Sequence, residues 1–401
     1  AAQQIYAQIE GYAGYGFPEA HSWSFALLVY ISAWIKVRRP AEFLCAILNS
    51  QPMGFYHPHT LIGDAQRHGV KVRPVDVRHS RFECTIEKDG SVRIGYRYVK
   101  GVGEAHRKKL DHEITHAEYR SMGEFCRRTR LPTNILENLA MADAFAGFGM
   151  ERRKALWRVG VYGSVECGDE IPALRDDLDE AVEFQPASWM VQAQMDFSTT
   201  GLSTRFQGME VYRPLLQQAG VLTARALRDL AETLLRQKDL GGGEPRAKCQ
   251  IDQEMLSQVY MAYGSHNEQT RHKTDLETIE VQRLGLNQQT HRDRSEADLR
   301  KSFVGEGMRI HVIVAGFVIN RQMPSTARGF MFLTLEDETG LVNVIISPSV
   351  FKRYKSPILN GATLSVSGEM EDDEGAIHVV AKRIRRLKGL QIDTPASYDW
   401  H

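Results

Sequence analysis

The sequence predicts an α+β modular chain: helices first, then a tandem helical hairpin, then a small five-stranded β-barrel. Three observations carry this prediction. Apolar residues keep helical spacing over residues 1–80. Two glycine-bearing corners, Val99-Lys100-Gly101-Val102-Gly103 and Ala142 to Gly149, each precede a basic helical stretch. Alternating strand patterns fill residues 309–387 and are interrupted by one short helix.

In the first part, Ile5, Ile9 and Tyr12 are helically spaced, and Tyr15-Gly16-Phe17-Pro18 breaks the pattern. Ser24 to Val37 reads as a mostly buried helix, and Pro40 to Asn49 as another with proline at its start. Residues 60–69 form a short helix stopped by Gly69, and Val70 to Val77 reads as a strand. Val92 to Tyr98 alternates and predicts a second strand, leading into the first corner and the helix Glu104 to Leu110.

In that corner, Gly101 and Gly103 let successive N–H groups point outward at a helix start, where the dipole is positive. Such a nest grips phosphate without reading a base, and Lys100, Val102, Arg107, Lys108 and Lys109 complete it. This is a helix-hairpin-helix signature and points to DNA backbone; an ordinary glycine-rich turn is the alternative. Ser121 to Glu124 has capping-box spacing before Phe125, and another helix follows Thr133. The second corner leads into Arg152, Arg153, Lys154 and Arg158, so the two corners read as a tandem unit over residues 81–163. Alternatively, the second corner only packs the first.

Residues 164–305 read as an acidic linker, Glu166 to Glu183, followed by a polar insertion. In residues 306–390, three strands, a helix around Ser349 to Tyr354 and two strands give the order of an OB barrel, and 391–401 read as a tail. Its ligand face would carry Phe330 and Phe332 with Arg321, Arg328 and Lys352, a pattern that stacks bases and tracks phosphates, with one of the two Phe assigned to the core.

The totals narrow the partners. The 401 residues carry 50 Lys+Arg against 50 Asp+Glu, so any nucleic-acid surface must be local. Five scattered cysteines without a CxxC pair argue against a disulfide framework or a zinc ribbon and fit a reducing cytoplasm. Phe25 to Ile35 is too short to cross a bilayer. An opening Ala1-Ala2 without methionine suggests a piece of a longer polypeptide.

Several stretches resemble the bacterial C-family DNA polymerases: Tyr15 to Ser22, Phe25 to Tyr30 with Ala33 to Lys36, and Pro40 to Phe43 look like the end of their fingers. Leu48 to Tyr56, His68-Gly69-Val70 and Arg73 to Val77 resemble the damage-induced, error-prone branch. Val99 to Gly103 and Phe332 to Gly340 are similar to the family's hairpin and OB regions. The resemblance implies the C-terminal part of a translesion polymerase: 1–80 the end of the fingers, 81–163 the tandem hairpin, 306–390 the OB domain. It places the two catalytic Mg²⁺ ions on palm aspartates outside this sequence, so this segment holds no catalytic or metal residue. It puts His21, Ser22, Lys36, Arg38 and Arg39 near the nucleotide or template; a capping role for His21 and a solvated basic trio are the alternatives. It also implies accessory mutagenesis proteins as partners. Gln192, Met195 and Phe197 have sliding-clamp peptide spacing, with an amphipathic helix end as the alternative reading.

Two rivals are weighed. One is a non-enzymatic DNA-repair scaffold that carries the same two folds. The other is a zinc metalloprotease, because His112-Glu113-Ile114-Thr115-His116 is an H-E-x-x-H with Glu137 as a possible third ligand. Its charged flanks argue against a buried metal helix and for a solvated helix face.

Overall fold

The computed structural model describes residues 19–54, 56–116, 118–163, 184–240, 310–324, 327–373, 376–387 and 398–400. For 19–21, 114–116, 161–163, 211, 234–240, 373 and 398–400 it describes the backbone alone. The expectations for residues 1–18, for Glu166 to Glu183 and for 241–300 therefore lie outside the described residues. The chain divides into two compact units, the first ending at Thr204 and the second running from Arg205, which also takes Phe55–His57.

The first unit opens with α1 (Glu19–Arg38), α2 (Pro40–Asn49) and α3 (Pro58–Arg67). Proline at the head of α2 and of α3 sits where its missing N–H is harmless. A left-handed Gly69, φ +86°, follows α3. The expected burial of α1 is corrected: Trp23 is 72 % exposed, Tyr30 71 % and Val37 79 %. Its apolar residues point in every direction around the helix axis, the composition of a helix meant for an interior. Composition alone does not supply the neighbours that would cover it.

The two expected strands are cut short. Val70 to Val77 leaves only β1 (Val72–Arg73), and Val92 to Tyr98 leaves β3 (Val92–Arg93) followed by a 3₁₀ turn at Tyr96–Tyr98. With β2 (Thr85–Ile86) these make a three-stranded sheet in the order β1-β3-β2. The reason lies in the side chains. Tyr96 is buried in the core, Arg97 donates to the carbonyls of Asn49 and Gln51, and the Tyr98 hydroxyl donates to that of Leu48 at 2.7 Å. The end of α2 therefore claims residues 97–98 for its unpaired carbonyls.

The hairpin helices follow: α4 (Glu104–His116), α5 (Met122–Thr129), α6 (Thr133–Met141) and α7 (Arg152–Gly163). The Ser121 hydroxyl accepts from the Glu124 N–H at 3.2 Å, and Glu124 accepts from the Arg120 N–H at 2.8 Å, so the capping box forms one residue displaced from the standard reciprocal pair. One apolar core joins Leu48, Ile62, Ile94, Tyr96, Met122, Phe125, Leu139, Phe145 and Val159. Residues 184–204 are not a linker. They form α8 (Trp189–Thr200) and a following turn, with Leu202 in that same core.

The second unit is a closed barrel. Its strands are β4 (Ile310–Gln322), β5 (Met331–Asp337), β6 (Gly340–Ile346), β7 (Thr363–Asp373) and β8 (Ala376–Arg386), with α11 (Pro348–Asn360) between β6 and β7. They run β5-β6-β8-β7-β4, and β4 pairs back to β5. Part of the expected tail is a short strand, β9 (Tyr398–Trp400), parallel to β4.

Residues 205–240 also differ from the expected linker. They fold as α9 (Arg213–Gln218) and α10 (Ala224–Leu240), and Leu222, Leu227 and Leu230 enter the barrel core beside Val314, Leu333 and Val344. The β5–β6 turn holds them. Asp337, inside the barrel rim, accepts from the Ala224 N–H at 2.7 Å and pairs with Arg213 at 3.2 Å. Glu338 pairs with the same Arg213.

Candidate nucleic-acid interface

The first corner is built by α6 and α8. Lys100 N–H donates to the Thr199 carbonyl at 2.8 Å, and the Asn138 side chain donates to the Lys100 carbonyl at 2.9 Å. Gly101 then turns through φ +87°, and the Val102 N–H closes on the Val99 carbonyl while its side chain is buried. The expectation of successive outward amides is therefore corrected: that of Lys100 is taken by α8 and that of Val102 by the turn itself. The Gly101, Glu104 and Ala105 N–H groups have no partner among the described residues, and that of Gly103 meets the His106 ring nitrogen at 3.3 Å. Gly101 and Gly103 are exposed, as are Lys108 and Lys109. Arg107 is not a free cation. It stacks over Phe82 at 5.2 Å and lies within 3.4–3.8 Å of Glu104, Glu83 and Asp111.

The second corner has similar outline and different chemistry. Gly147 lies against Asp76, whose carboxylate oxygens are 2.9 and 3.0 Å from where a Cβ would stand. Its carbonyl accepts from Arg78, and the Val77 N–H donates to the Ala144 carbonyl. Negative charge occupies the place a phosphate would need. Arg152, assigned from sequence to DNA, is corrected to a structural role. Its side chain is 5 % exposed and pairs with Asp196 at 2.7 Å and Asp143 at 3.7 Å. It also donates to the carbonyls of Met141 and Gln192. Arg153 is exposed and donates to the Gln185 carbonyl at 2.9 Å. The second corner thus anchors the loop around Asp76 and the helix α8, whose Thr199 carbonyl in turn accepts the Lys100 N–H of the first corner.

That anchoring also fixes the residues of the clamp-peptide reading. Gln192, Met195 and Phe197 lie in α8, and Phe197 is buried with its ring edge on His59, centroids 4.8 Å apart. Asp196 beside it is locked by Arg152 and by the Ser203 hydroxyl at 2.6 Å. Phe197 is thus spent on the interior of this unit.

Of the metalloprotease set, Glu113 is an ion-pair partner and not a solvated face. Arg128 donates to its carboxylate at 2.9 Å and to its carbonyl at 3.0 Å, fastening α4 to α5. His112 is largely exposed, and the His116 side chain lies outside the described ones. Among the described residues no group of three or more His, Cys, Asp or Glu could hold a metal.

On the barrel, Phe330 and Phe332 are each 39 % exposed, which corrects the assignment of one of them to the core. Phe332 lies opposite Ile345 of β6, and Ile345 opposite Val380 of β8. Arg328, φ +49°, and Gly329 lead into them, and Gly329 packs on Pro348 at the head of α11, the helix that carries exposed Lys352. Arg321 is corrected to a structural role. It is buried and donates to the carbonyls of Ile358 and Gly361 at 2.7 and 2.6 Å, tying the end of α11 to β4. Sequence alternation missed this because a long strand with an inward arginine has the same pattern as one with an outward arginine slipped by one residue.

The fingers candidates are spread along α1 and its end. Ser22 is half-buried, Lys36 pairs with Asp64 at 2.7 Å, Arg38 lies over Trp34 at 5.3 Å and Arg39 meets Glu42 at 3.6 Å. The side chain of His21 is outside the described ones. No helix of the described residues is long and apolar enough to cross a membrane.

Comparison with known proteins agrees with both halves of this geometry. A helix-hairpin-helix motif model matches residues 69–155, and an OB-fold nucleic acid binding domain model matches residues 312–387. An error-prone DNA polymerase of Methylococcus capsulatus is 31 % identical over 96 % of this chain and 31 % of its own length. Those of Anaeromyxobacter sp. and Teredinibacter turnerae are 34 % and 33 % identical over the whole chain, which covers 29 % and 32 % of them. The chain spans about three tenths of the length of these relatives. Over that shared segment, its hairpin and its barrel both included, the chain is similar to error-prone DNA polymerases.

Proposed function

We propose that this chain is the DNA-holding C-terminal part of an error-prone polymerase that copies past lesions. The first corner grips duplex phosphate, and the barrel handles single-stranded template on Phe330 and Phe332. Neither contact favours a sequence. The observation that carries this reading is the first corner: unpartnered amides of Gly101, Glu104 and Ala105 at the positive end of α4, beside exposed Lys108 and Lys109. Arg328 and Lys352 supply charge at the barrel. Arg153 flanks the second corner, which serves as a mount.

Nucleotidyl transfer belongs, in this reading, to acidic residues and two Mg²⁺ ions held elsewhere in the longer polymerase. Lys36, Arg38 and Arg39, with Ser22 and His21, border the nucleotide or template as the end of the fingers. All-round apolar α1 supports that placement, since such a helix suits the interior of a larger assembly. Accessory mutagenesis proteins are the protein partners and the cytoplasm the compartment.

The test is binding of duplex, single-stranded and primer-template DNA across a salt series. Lys108→Ala with Lys109→Ala should lower duplex affinity and reduce the log–log salt slope by about 1.8 if both contact phosphate. An unchanged slope would refute the role of the corner.

A further inference from the structure

The neutral total conceals a concentration of charge on β8. From Ala381 to Lys388 the chain reads Ala-Lys-Arg-Ile-Arg-Arg-Leu-Lys, five basic residues and no acid. The register explains why so many face solvent. Ala381 lies opposite Gly368 of β7, and Arg383 opposite Ser367, so Lys382 is the extra residue of a bulge. The bulge breaks strict alternation and leaves Lys382 and Arg383 exposed side by side, while Ile384 stays inside. Arg385 and Arg386 are exposed beyond it.

Lys382 pairs with Glu369 at 3.3 Å, whereas Arg383 and Arg386 make no ion pair among the described residues. The acids of β7 lie at the other end: Glu369, Glu371 and Asp372 stand opposite Val380, His378 and Ile377. Opposite Arg383 stands Ser367, too small to cover a guanidinium. Charge is therefore sorted along the strand instead of mixed. Like charges crowded on one strand repel, and a bound polyanion relieves that repulsion. Arg383 and Arg385, two residues apart, are about 7 Å apart along the strand. That is comparable to the step between successive phosphates of an extended single strand.

We infer that the basic end of β8 is a second track for single-stranded DNA backbone, separate from the aromatic site at the start of β5. In the barrel, β6 lies between the two strands. The inference rests on the nucleic-acid reading of the barrel and adds a site to it. The bases meet Phe330 and Phe332, and the backbone leaves across β8.

The experiment uses the full 401-residue chain, oligothymidylate as probe and a salt series. Arg383→Ala with Arg386→Ala should reduce the log–log salt slope by about 1.4, the value for two single-strand phosphate contacts. The charge-keeping pair, Arg383→Lys with Arg386→Lys, should retain most of the slope. Phe330→Ala with Phe332→Ala should lower affinity at every salt with the slope kept. An unaltered slope in the alanine pair at the arginines, with affinity lost in the phenylalanine pair, overturns the β8 track and leaves the barrel reading standing. No effect in either pair overturns the barrel reading itself. Equal competition by polyglutamate would also overturn the track, by assigning it to acidic protein. A cooperative thermal transition unchanged in both arginine pairs shows that the readout is binding and not folding, as expected for exposed side chains without ion pairs.

Discussion

Replacing Arg152 by methionine tests the division of labour between the two corners. The side chain is 5 % exposed and holds Asp196 at 2.7 Å, which in turn holds Ser203. Methionine fills much of the volume and removes the charge. Asp196 is then a buried carboxylate without its cation, a loss of about 3–5 kcal/mol. The carbonyls of Met141 and Gln192 lose a donor as well. That is a large part of the roughly 5–15 kcal/mol that keeps a typical domain folded. Adding Asp196→Asn removes the stranded charge, so the double variant should recover about half of the loss. Urea unfolding followed by the emission of Trp157 and Trp189, which lie on α7 and α8, reads this unit. A cost below about 1 kcal/mol, together with duplex affinity reduced as in Lys108→Ala, would refute the argument and return Arg152 to the DNA surface.

Four further outcomes follow. Gly101→Val forces a β-branched residue to φ +87° and should cost about 1–3 kcal/mol as well as duplex affinity, whereas Gly103→Ala, with open space at its Cβ, should be nearly neutral; thermal unfolding separates the two. Asp337→Ala should release the head of α10 from the barrel turn and destabilise the second unit by about 1–3 kcal/mol, because the Ala224 amide loses its acceptor while Arg213 keeps Glu338. Burial pushes the thiols of Cys84 and Cys126 up to about 12 and raises that of Cys45, so iodoacetamide at pH 8 should leave all three unmodified by mass spectrometry until the chain is unfolded. The Arg120 amide and Arg128 hold the Glu124 carboxyl below its usual value, so its contribution is present above about pH 4.5 and disappears as pH falls below it; Glu124→Gln should flatten that acid limb of the stability curve.

The order of the elements was legible in the sequence, and so was the barrel. Strands with one face inside and one outside write a period of two into the residues, and the turn Asp337 to Gly340 is marked by its own chemistry. Helices with caps were equally plain, as at Ser121. What failed was the assignment of single charged residues. Arg152, Arg321 and Arg107 are basic, and a basic residue beside a glycine corner or an exposed aromatic looks like a phosphate ligand. Asp196 and Ile358, the partners of the first two, lie 44 and 37 positions away with nothing local to announce them, whereas Arg107 is met by Glu83, 24 positions back, and by Glu104 and Asp111 of its own helix. The same distance hid the role of residues 205–240, whose apolar positions seek strands that begin at Ile310. The basic end of β8 owes its exposure to a bulge that only the register reveals.

The capture of α10 by the β5–β6 turn has a practical corollary for anyone excising the barrel. A cut at residue 306, the boundary expected for the barrel domain, would strip away Leu222, Leu227 and Leu230 and bare a greasy seam against Val314, Leu333 and Val344. Such a piece should clump, whereas supplying residues 205–240 as a separate peptide should restore a monodisperse barrel, a ready-made split-protein pair.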